Sequence, residues 1–223
     1  MIKNFVFSIL FLISCSFIPC NASESAAIFS TCNLAQDVTL MIINGDISEA
    51  KTESIVIPIT SFLIPSDQVG EQIVTQANKE KIKKEMKLKA PSLNCKLGEA
   101  IATSSYELRS RWTTHLIHVA FPNTANDRKS LLITAHINAL KKADEHRLAN
   151  IVFPEFALMN NNTCLEEEIR LVFDAFQKYC LTHPTSSIKC IEYAFSKKDD
   201  YERAITIAKE ITGAIQPLDR TSH

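Results

Sequence analysis

The sequence predicts a three-layer α/β/α sandwich with a mixed, mostly parallel β-sheet. Short apolar runs rich in β-branched residues alternate with longer segments in which apolar residues recur at helical spacing. The apolar runs are nearly continuous, as in strands that are buried on both faces, and amphipathic helices between such strands cover a sheet on both sides. With 223 residues, 46% hydrophobic and 22% charged, the chain is long enough for one such domain.

These patterns predict six strands and four helices in the order β-β-α-β-β-α-β-α-β-α. The strands are expected at 38–43, 54–59, 98–104, 114–120, 150–153 and 188–195. The helices are expected at 68–88, 127–147, 165–180 and 198–214. Pro58 and Pro154 mark strand ends, Asp127 is suited to cap the second helix, and Gly213 lies near the end of the fourth. In the first helix, Val69 and Ile73 are expected on the inward face.

The first 22 residues have the layout of a secretory signal peptide. A short basic start precedes an apolar run over 5–18, and residues 19–22 supply the small residues that a signal peptidase reads. The run is too short to span a bilayer comfortably. We expect a secreted or periplasmic protein after cleavage near Ala22. An alternative is a lipobox over 12–15, which would leave a lipoprotein anchored at Cys15.

The chain therefore divides into a signal peptide (1–22), an N-terminal extension (23–36), the domain (37–215) and a polar tail (216–223). No later apolar stretch is long enough to be a transmembrane segment.

A net charge of −1 offers no electrostatic footprint for nucleic acid, so a nucleic-acid partner is not expected. No metal or cofactor motif is present, and His115 and His118 face opposite sides of one strand, so they cannot share a metal.

Five cysteines remain after cleavage, and an oxidising compartment would permit disulfides among them. Cys180 and Cys190 are ten residues apart around a turn signal, so they could pair. Alternatively, all five are small buried thiols. The five are Cys32, Cys95, Cys164, Cys180 and Cys190.

Glycine is scarce, with four residues where average usage of about 7% would give roughly fifteen. Glycine lets a backbone approach a phosphate closely, so an ordinary glycine-rich phosphate loop is excluded.

Cys164 lies near a helix start, where a thiol pKa can fall, but no histidine is close in sequence to act as its base. The following glutamates, 166–168, are expected to form a solvated first helical turn.

An ordered set of motifs resembles the macro domain, a family known for binding ADP-ribose and related nucleotides. Residues 42–48 (IINGDIS) resemble its first strand and Gly-Asp-Ile-Thr turn, and 54–56 its second strand. Residues 98–103 resemble its Gly-Glu-Ala stretch, 116–119 its Ile-His strand closed by Pro122, and 150–154 the strand before its phosphate loop. The resemblance covers roughly residues 38–180 and implies the same α/β/α fold.

The resemblance also implies site residues. Asp46 would accept the exocyclic amine of adenine and Ile47 would offer its backbone N–H, although a cap of the turn is an equal interpretation of Asp46. Thr60 takes the place of the asparagine that contacts ribose in the family's hydrolases. Where the family has a Ser-Thr-Gly turn around the diphosphate, this chain has no glycine, and Leu158, Met159, Asn160 and Asn161 lie in that loop.

Three functions remain in view. One is a binding module for ADP-ribose or another adenine nucleotide, held weakly or with altered specificity. The second is a non-catalytic interaction module with a degenerate pocket and a protein partner outside the producing cell. The third is an ADP-ribosyl hydrolase, for which the weak catalytic candidates are Thr60, Asp67 and His118.

Overall fold

The computed structural model describes residues 26–30, 38–92, 94–121, 128–156 and 164–212. The predicted signal peptide, the Asp127 cap, Gly213 and the polar tail lie outside these residues. The described residues form seven strands: β1 (Ala26–Ser30), β2 (Thr39–Asn44), β3 (Ser54–Ile59), β4 (Ala100–Ser104), β5 (His115–Ala120), β6 (Asn150–Pro154) and β7 (Cys190–Phe195). They also form five α-helices: α1 (Gln68–Gln76), α2 (Lys79–Lys89), α3 (Arg128–Glu145), α4 (Leu165–Thr182) and α5 (Lys198–Thr212). No helix in the described part of the chain is long and apolar enough to cross a membrane.

All seven strands form one mixed sheet in the order β1-β2-β7-β6-β3-β5-β4. The five strands from β2 to β5 in that order are mutually parallel, whereas β1 and β4 run antiparallel at the two sides. The carboxyl ends of the five parallel strands therefore meet at one edge, which we call the carboxyl edge. Ligands of open α/β sheets bind at this edge.

Two hydrophobic cores lie on opposite faces of the sheet and confirm the predicted three-layer architecture. Alternate residues of each strand point to opposite faces. Ile55, Ile57 and Ile59 of β3 therefore pack under α1 and α2, while Val56 packs under the layer made by α3, α4 and α5. These side chains are almost completely buried, and each contributes roughly 1.5–3 kcal/mol by leaving water.

Three local features differ from the sequence prediction. The predicted N-terminal extension contains an additional strand, β1, which pairs with β2. The predicted helix at 68–88 is two helices, because Asn78 takes a left-handed conformation (φ 86°) and its side chain accepts a hydrogen bond from Lys81 N to begin α2. Val69, predicted on the inward face of this helix, is exposed, and Gly70 takes the inward position.

The disulfide considered between Cys180 and Cys190 is not formed. Cys180, on α4, carries a free thiol in the core between the sheet and the layer of α3, α4 and α5. Cys190 contacts Met41 on the opposite face of the sheet. The sheet lies between the two sulfur atoms, and a disulfide requires Cα atoms within about 7 Å of each other. Among the described residues, Cys95, Cys164 and Cys180 are free thiols.

Candidate functional site

The carboxyl edge is bounded by the residues that follow β2, β3, β5, β6 and β7. The segments 45–53 and 60–67 are described completely, and Glu155 and Phe156 are described after β6. The predicted ligand-binding residues Leu158, Met159, Asn160 and Asn161 lie outside the described residues. The groups whose geometry is described at this edge are therefore Asp46, Thr60 and the residues around the end of β6.

Asp46 lies at the carboxyl end of β2 and caps a short 3₁₀ turn, Ile47–Glu49. Its Oδ1 accepts a hydrogen bond from Ser48 N at 2.8 Å, while the Gly45 N–H donates to the Phe195 carbonyl and ties the turn to β7. The Ile47 side chain is buried, which anchors the turn, and Asp46 itself is exposed. The N–H of Ile47 begins the turn and so has no acceptor within it. The turn presents a carboxylate and an N–H side by side.

Thr60 follows β3 and starts a tight turn. Its N–H donates to the Ile64 carbonyl at 2.7 Å, and its own carbonyl accepts from Leu63 N at 3.0 Å, with Leu63 in a left-handed conformation (φ 63°). The Thr60 Oγ1 atom is buried, with no hydrogen-bond partner among the described residues. The same turn exposes the side chains of Phe62 and Ile64.

Asp67 lies at the other end of this loop and caps α1, since its Oδ1 accepts a hydrogen bond from Gly70 N at 2.6 Å. Gly70 packs directly on the sheet, and a Cβ there would come within 3.0 Å of Ile57 Cγ2. Glycine at this position allows α1 to approach β3. The Asp67 carboxylate is thus engaged in capping.

His118 is fully buried beneath α2 and pairs with Thr103, its Nε2 lying 2.9 Å from Thr103 Oγ1. Burial lowers the pKa of His118 to about 4, an effect that Glu85 partly opposes. In the sheet His118 lies opposite Ile57, three residues before Thr60, which corresponds to roughly 10 Å along the strand. Thr60 and Asp67 therefore share one loop at the carboxyl edge, and His118 is not brought to them.

Glu168 is a buried carboxylate that the sequence interpretation placed in solvent. Its Oε1 accepts hydrogen bonds from Phe156 N at 2.7 Å and from the Tyr193 hydroxyl at 2.5 Å. Its Oε2 has no partner among the described residues. Burial raises the pKa of Glu168 to about 7, although those two hydrogen bonds act in the opposite direction. Helical periodicity carries the missed signal, because Glu168 shares a face with the buried Leu165 and Val172.

Glu155 lies beside this group, directly after β6. Its Oε1 accepts a hydrogen bond from Ser196 Oγ at 3.1 Å, and its buried Oε2 has no partner in the described part of the chain. Burial raises the pKa of Glu155 to about 7, and Asp200 adds to the increase. Arg128 donates from Nη2 to the Phe156 carbonyl at 3.1 Å, which brings one cation to the group.

His136 completes the polar interior near this edge. Its Nδ1 lies 2.8 Å from the Leu132 carbonyl and so donates the proton there, which leaves Nε2 as an acceptor with no partner among the described residues. Its ring stacks on Phe153 at 4.9 Å between centroids and meets Phe156 edge-on. Burial lowers the pKa of His136 to about 4, so it is neutral at physiological pH.

The opposite edge carries a shallow surface pocket of about 380 Å³, lined by Lys81, Ser104, Tyr106, Glu107 and Arg109. Lys81 is paired with Glu107 at 3.1 Å, which offsets its charge. Near this edge the rings of His115 and His146 are 4.5 Å apart between centroids. No group of three or more His, Cys, Asp or Glu side chains within the described ranges is arranged to hold a metal ion.

Comparison with known proteins gives a consistent result. A family model described as "Macro domain" matches residues 47–167. The histone macroH2A1.1 of Capsaspora owczarzaki is 26% identical over 151 residues, which are 68% of this chain and 41% of the histone. A macro domain-containing protein of Caldanaerobacter subterraneus is 25% identical over 164 residues, which are 73% of this chain and 91% of that protein. This chain thus spans less than half of the histone but most of the bacterial protein.

Solved structures share the fold. The Oceanobacillus iheyensis macrodomain with ADP superposes with a TM-score of 0.70 at 22% identity, covering 84% of this chain and 98% of that one. The fold similarity thus extends over most of the described residues.

Proposed function

Because the chain belongs to the macro domain family, we propose that it binds an adenine nucleotide of the ADP-ribose class at the carboxyl edge. The observation that carries this proposal is the turn formed by Asp46 and Ile47, which places an exposed carboxylate beside an N–H at the end of β2. A macrodomain similar in fold to this chain was solved with ADP, which supports the choice of ligand.

The chemistry of the turn suits the edge of an adenine ring. The exocyclic amine of adenine donates hydrogen bonds, and the neighbouring ring nitrogen accepts one. A carboxylate acceptor such as Asp46 next to a donor such as Ile47 N–H complements that pair. The hydrogen bond within the turn holds one Asp46 oxygen in place, so little conformational entropy is lost when a ligand binds.

We further propose that the phosphate end of this site differs from that of a glycine-rich loop. The sequence from Glu99 to Thr212 contains no glycine. In the sequence that follows β6, asparagine is the residue type that best tolerates a left-handed backbone. Asparagine can only partly replace glycine in a loop that binds phosphate through its backbone. The proposal therefore includes weak affinity or altered specificity for the diphosphate.

Calorimetric titration of ADP-ribose into the chain beginning at Ser23 tests this function. Asp46→Ala is expected to weaken binding about 10- to 100-fold, the usual effect of losing a hydrogen bond to a charged group. Glu49→Ala removes a second exposed carboxylate from the same turn and serves as the matched control, with affinity unchanged. Absence of heat at millimolar ligand, or equal affinity in Asp46→Ala, would refute the proposal.

We also propose export, based on the signal-peptide layout of residues 1–22, with secretion or periplasmic delivery as the expected result. N-terminal sequencing of the protein recovered from the medium or the periplasm would test it. An N-terminus at Ser23 supports the proposal, and a lipidated Cys15 would indicate the lipoprotein alternative. An intact Met1 on protein retained in the cytoplasm would contradict both.

A second candidate function, docking of a protein partner, is supported by the turn after β3. Phe62 and Ile64 are exposed there, 73% and 59% respectively, although large apolar side chains are ordinarily buried. If this function operates, Phe62→Ser abolishes capture of a specific partner while Asp46→Ala leaves it intact. The reverse result would assign the partner to the nucleotide site.

A further inference from the structure

We propose that Glu155 and Glu168 make the affinity of the carboxyl edge for an anionic ligand depend on pH, with tighter binding when the two carboxylates are protonated. This inference rests on the proposed function, because a nucleotide of the ADP-ribose class brings a diphosphate to that edge. The two residues thus act as determinants of specificity for ligand charge.

The geometry places both carboxylates at the edge. Glu155 directly follows β6, and Phe156, the next residue, donates its N–H to Glu168 in the first turn of α4. Both side chains keep an Oε2 atom that is buried and has no partner among the described residues. Glu168 therefore lies in the first turn of a helix whose N-terminus would otherwise favour an anion, and Glu155 is close enough to raise the pKa of Glu168.

The groups that face Glu168 leave its charge poorly compensated. From α3, the cationic Arg128 donates to the Phe156 carbonyl and lowers the pKa of Glu168 by less than burial raises it, while His136 is neutral. From β7, the Tyr193 hydroxyl donates a hydrogen bond but carries no charge.

On α4 itself, the exposed Glu166 pairs with Arg170 and the half-buried Glu167 pairs with Lys129. These two cations are thus engaged with other carboxylates.

Glu155 has a similar environment on the side of α5. Ser196 donates one hydrogen bond to it, and Lys197 lowers its pKa while Asp200 raises it. Burial is the largest influence on both carboxylates and raises each pKa to about 7. Their ionisation therefore spans neutral pH and is coupled, since each negative charge disfavours the other.

The protonation state then controls the potential felt by the ligand. Above neutral pH, two negative charges repel a diphosphate at the same edge. In mildly acidic solution both carboxylates are neutral, and they no longer oppose the attraction that the N-terminus of α4 and Arg128 exert on an anion. The diphosphate and adenine of ADP-ribose do not titrate between about pH 5.5 and about pH 8, so a change in affinity reports on the protein.

Calorimetric titration of ADP-ribose at about pH 5.5 and about pH 8 tests the inference. Binding by the natural chain is expected to be roughly tenfold tighter at the lower pH, because repulsion between partly screened like charges at one edge of a protein is of that order. Glutamine imitates a protonated glutamate, so Glu155→Gln combined with Glu168→Gln is expected to bind equally at both pH values. Glu166→Gln, in the same helical turn but exposed, is the control and keeps the full difference.

The outcomes separate this inference from the proposed function. No binding at either pH refutes the proposed function. Binding whose pH dependence persists unchanged in the double variant, or is absent from the natural chain, refutes the inference alone. If the double variant fails to fold, carbon-13 NMR titration of the glutamate carboxyl groups in the natural chain decides the matter. Two carboxyl groups titrating near pH 7 that shift on addition of ADP-ribose support the inference, and none titrating above about pH 5.5 overturns it.

Discussion

Replacing Glu168 by glutamine is expected to stabilise the protein in mildly alkaline solution relative to mildly acidic solution. The folded protein holds this carboxyl group with a pKa of about 7, against an ordinary value of 4.5. Since the folded value is raised, the stability that this group contributes is fully present below about pH 4.5 and is lost as the pH rises through about 7. The cause is burial, which disfavours the ionised form.

The magnitude follows from the size of the shift. A difference between 4.5 and about 7 corresponds to ~3 kcal/mol at about 1.36 kcal/mol per pKa unit. About one pKa unit of this range lies below about pH 5.5, so ~2 kcal/mol is lost between about pH 5.5 and about pH 8, which in a domain of this size shifts the melting temperature by roughly 4–8 °C. Glutamine keeps an oxygen that can accept from Phe156 N and Tyr193, and its amide replaces the hydroxyl of the protonated acid. Any cost of burying that amide applies at both pH values and cancels in the comparison.

Thermal unfolding followed by circular dichroism at about pH 5.5 and about pH 8 measures this difference. The natural chain is expected to lose several degrees more than Glu168→Gln on going to the higher pH. Glu166→Gln, whose carboxylate forms an exposed pair with Arg170, should behave like the natural chain. Equal losses of melting temperature in Glu168→Gln and in the natural chain would show that the Glu168 carboxyl group does not titrate near pH 7 in the folded protein.

Three further outcomes are expected. Gly70→Ala should destabilise the protein by about 1–3 kcal/mol in chemical unfolding, because the new methyl group lies 3.0 Å from Ile57 Cγ2; unchanged stability would contradict that packing. Exposed Cys164 should react promptly with a thiol reagent, while buried Cys95, with a pKa raised to about 11, should react only on unfolding; equal labelling rates would contradict the burial. His118, whose pKa burial lowers to about 4, contributes stability that is lost as pH falls below 6.5 and through about 4. His118→Gln should therefore lose less melting temperature on acidification than the natural chain, and an identical loss would refute this assignment.

Most of the fold was predictable from local patterns. The runs TLMII and SIVIPI are apolar in every position or nearly so, which identifies strands buried on both faces. The helices α3, α4 and α5 carry apolar residues at helical spacing and begin within two residues of their predicted starts. Strand β1 was missed because a run of five residues is too short to carry a periodic signal that would indicate its pairing with β2.

The candidate site was predictable only in part. The turn at Asp46 follows from a short local motif, and the same aspartate both caps the turn and remains exposed to a ligand. The burial of Glu168 depends on neighbours supplied by β6 and β7, which are distant in sequence. A run of three glutamates indicates a solvated turn by composition, and only helical phase distinguishes the third from the other two.

The sequence by itself determined the layering of this protein and the location of its candidate site at the carboxyl edge, because apolar periodicity and turn motifs are local properties of the chain. Only the tertiary structure decided which polar groups lie at that edge and in which charge state, because desolvation depends on what packs around a side chain. Glu155, Glu168 and His136 acquire their shifted pKa values from that packing. His118 likewise is separated from the edge by its position along β5, which strand register sets.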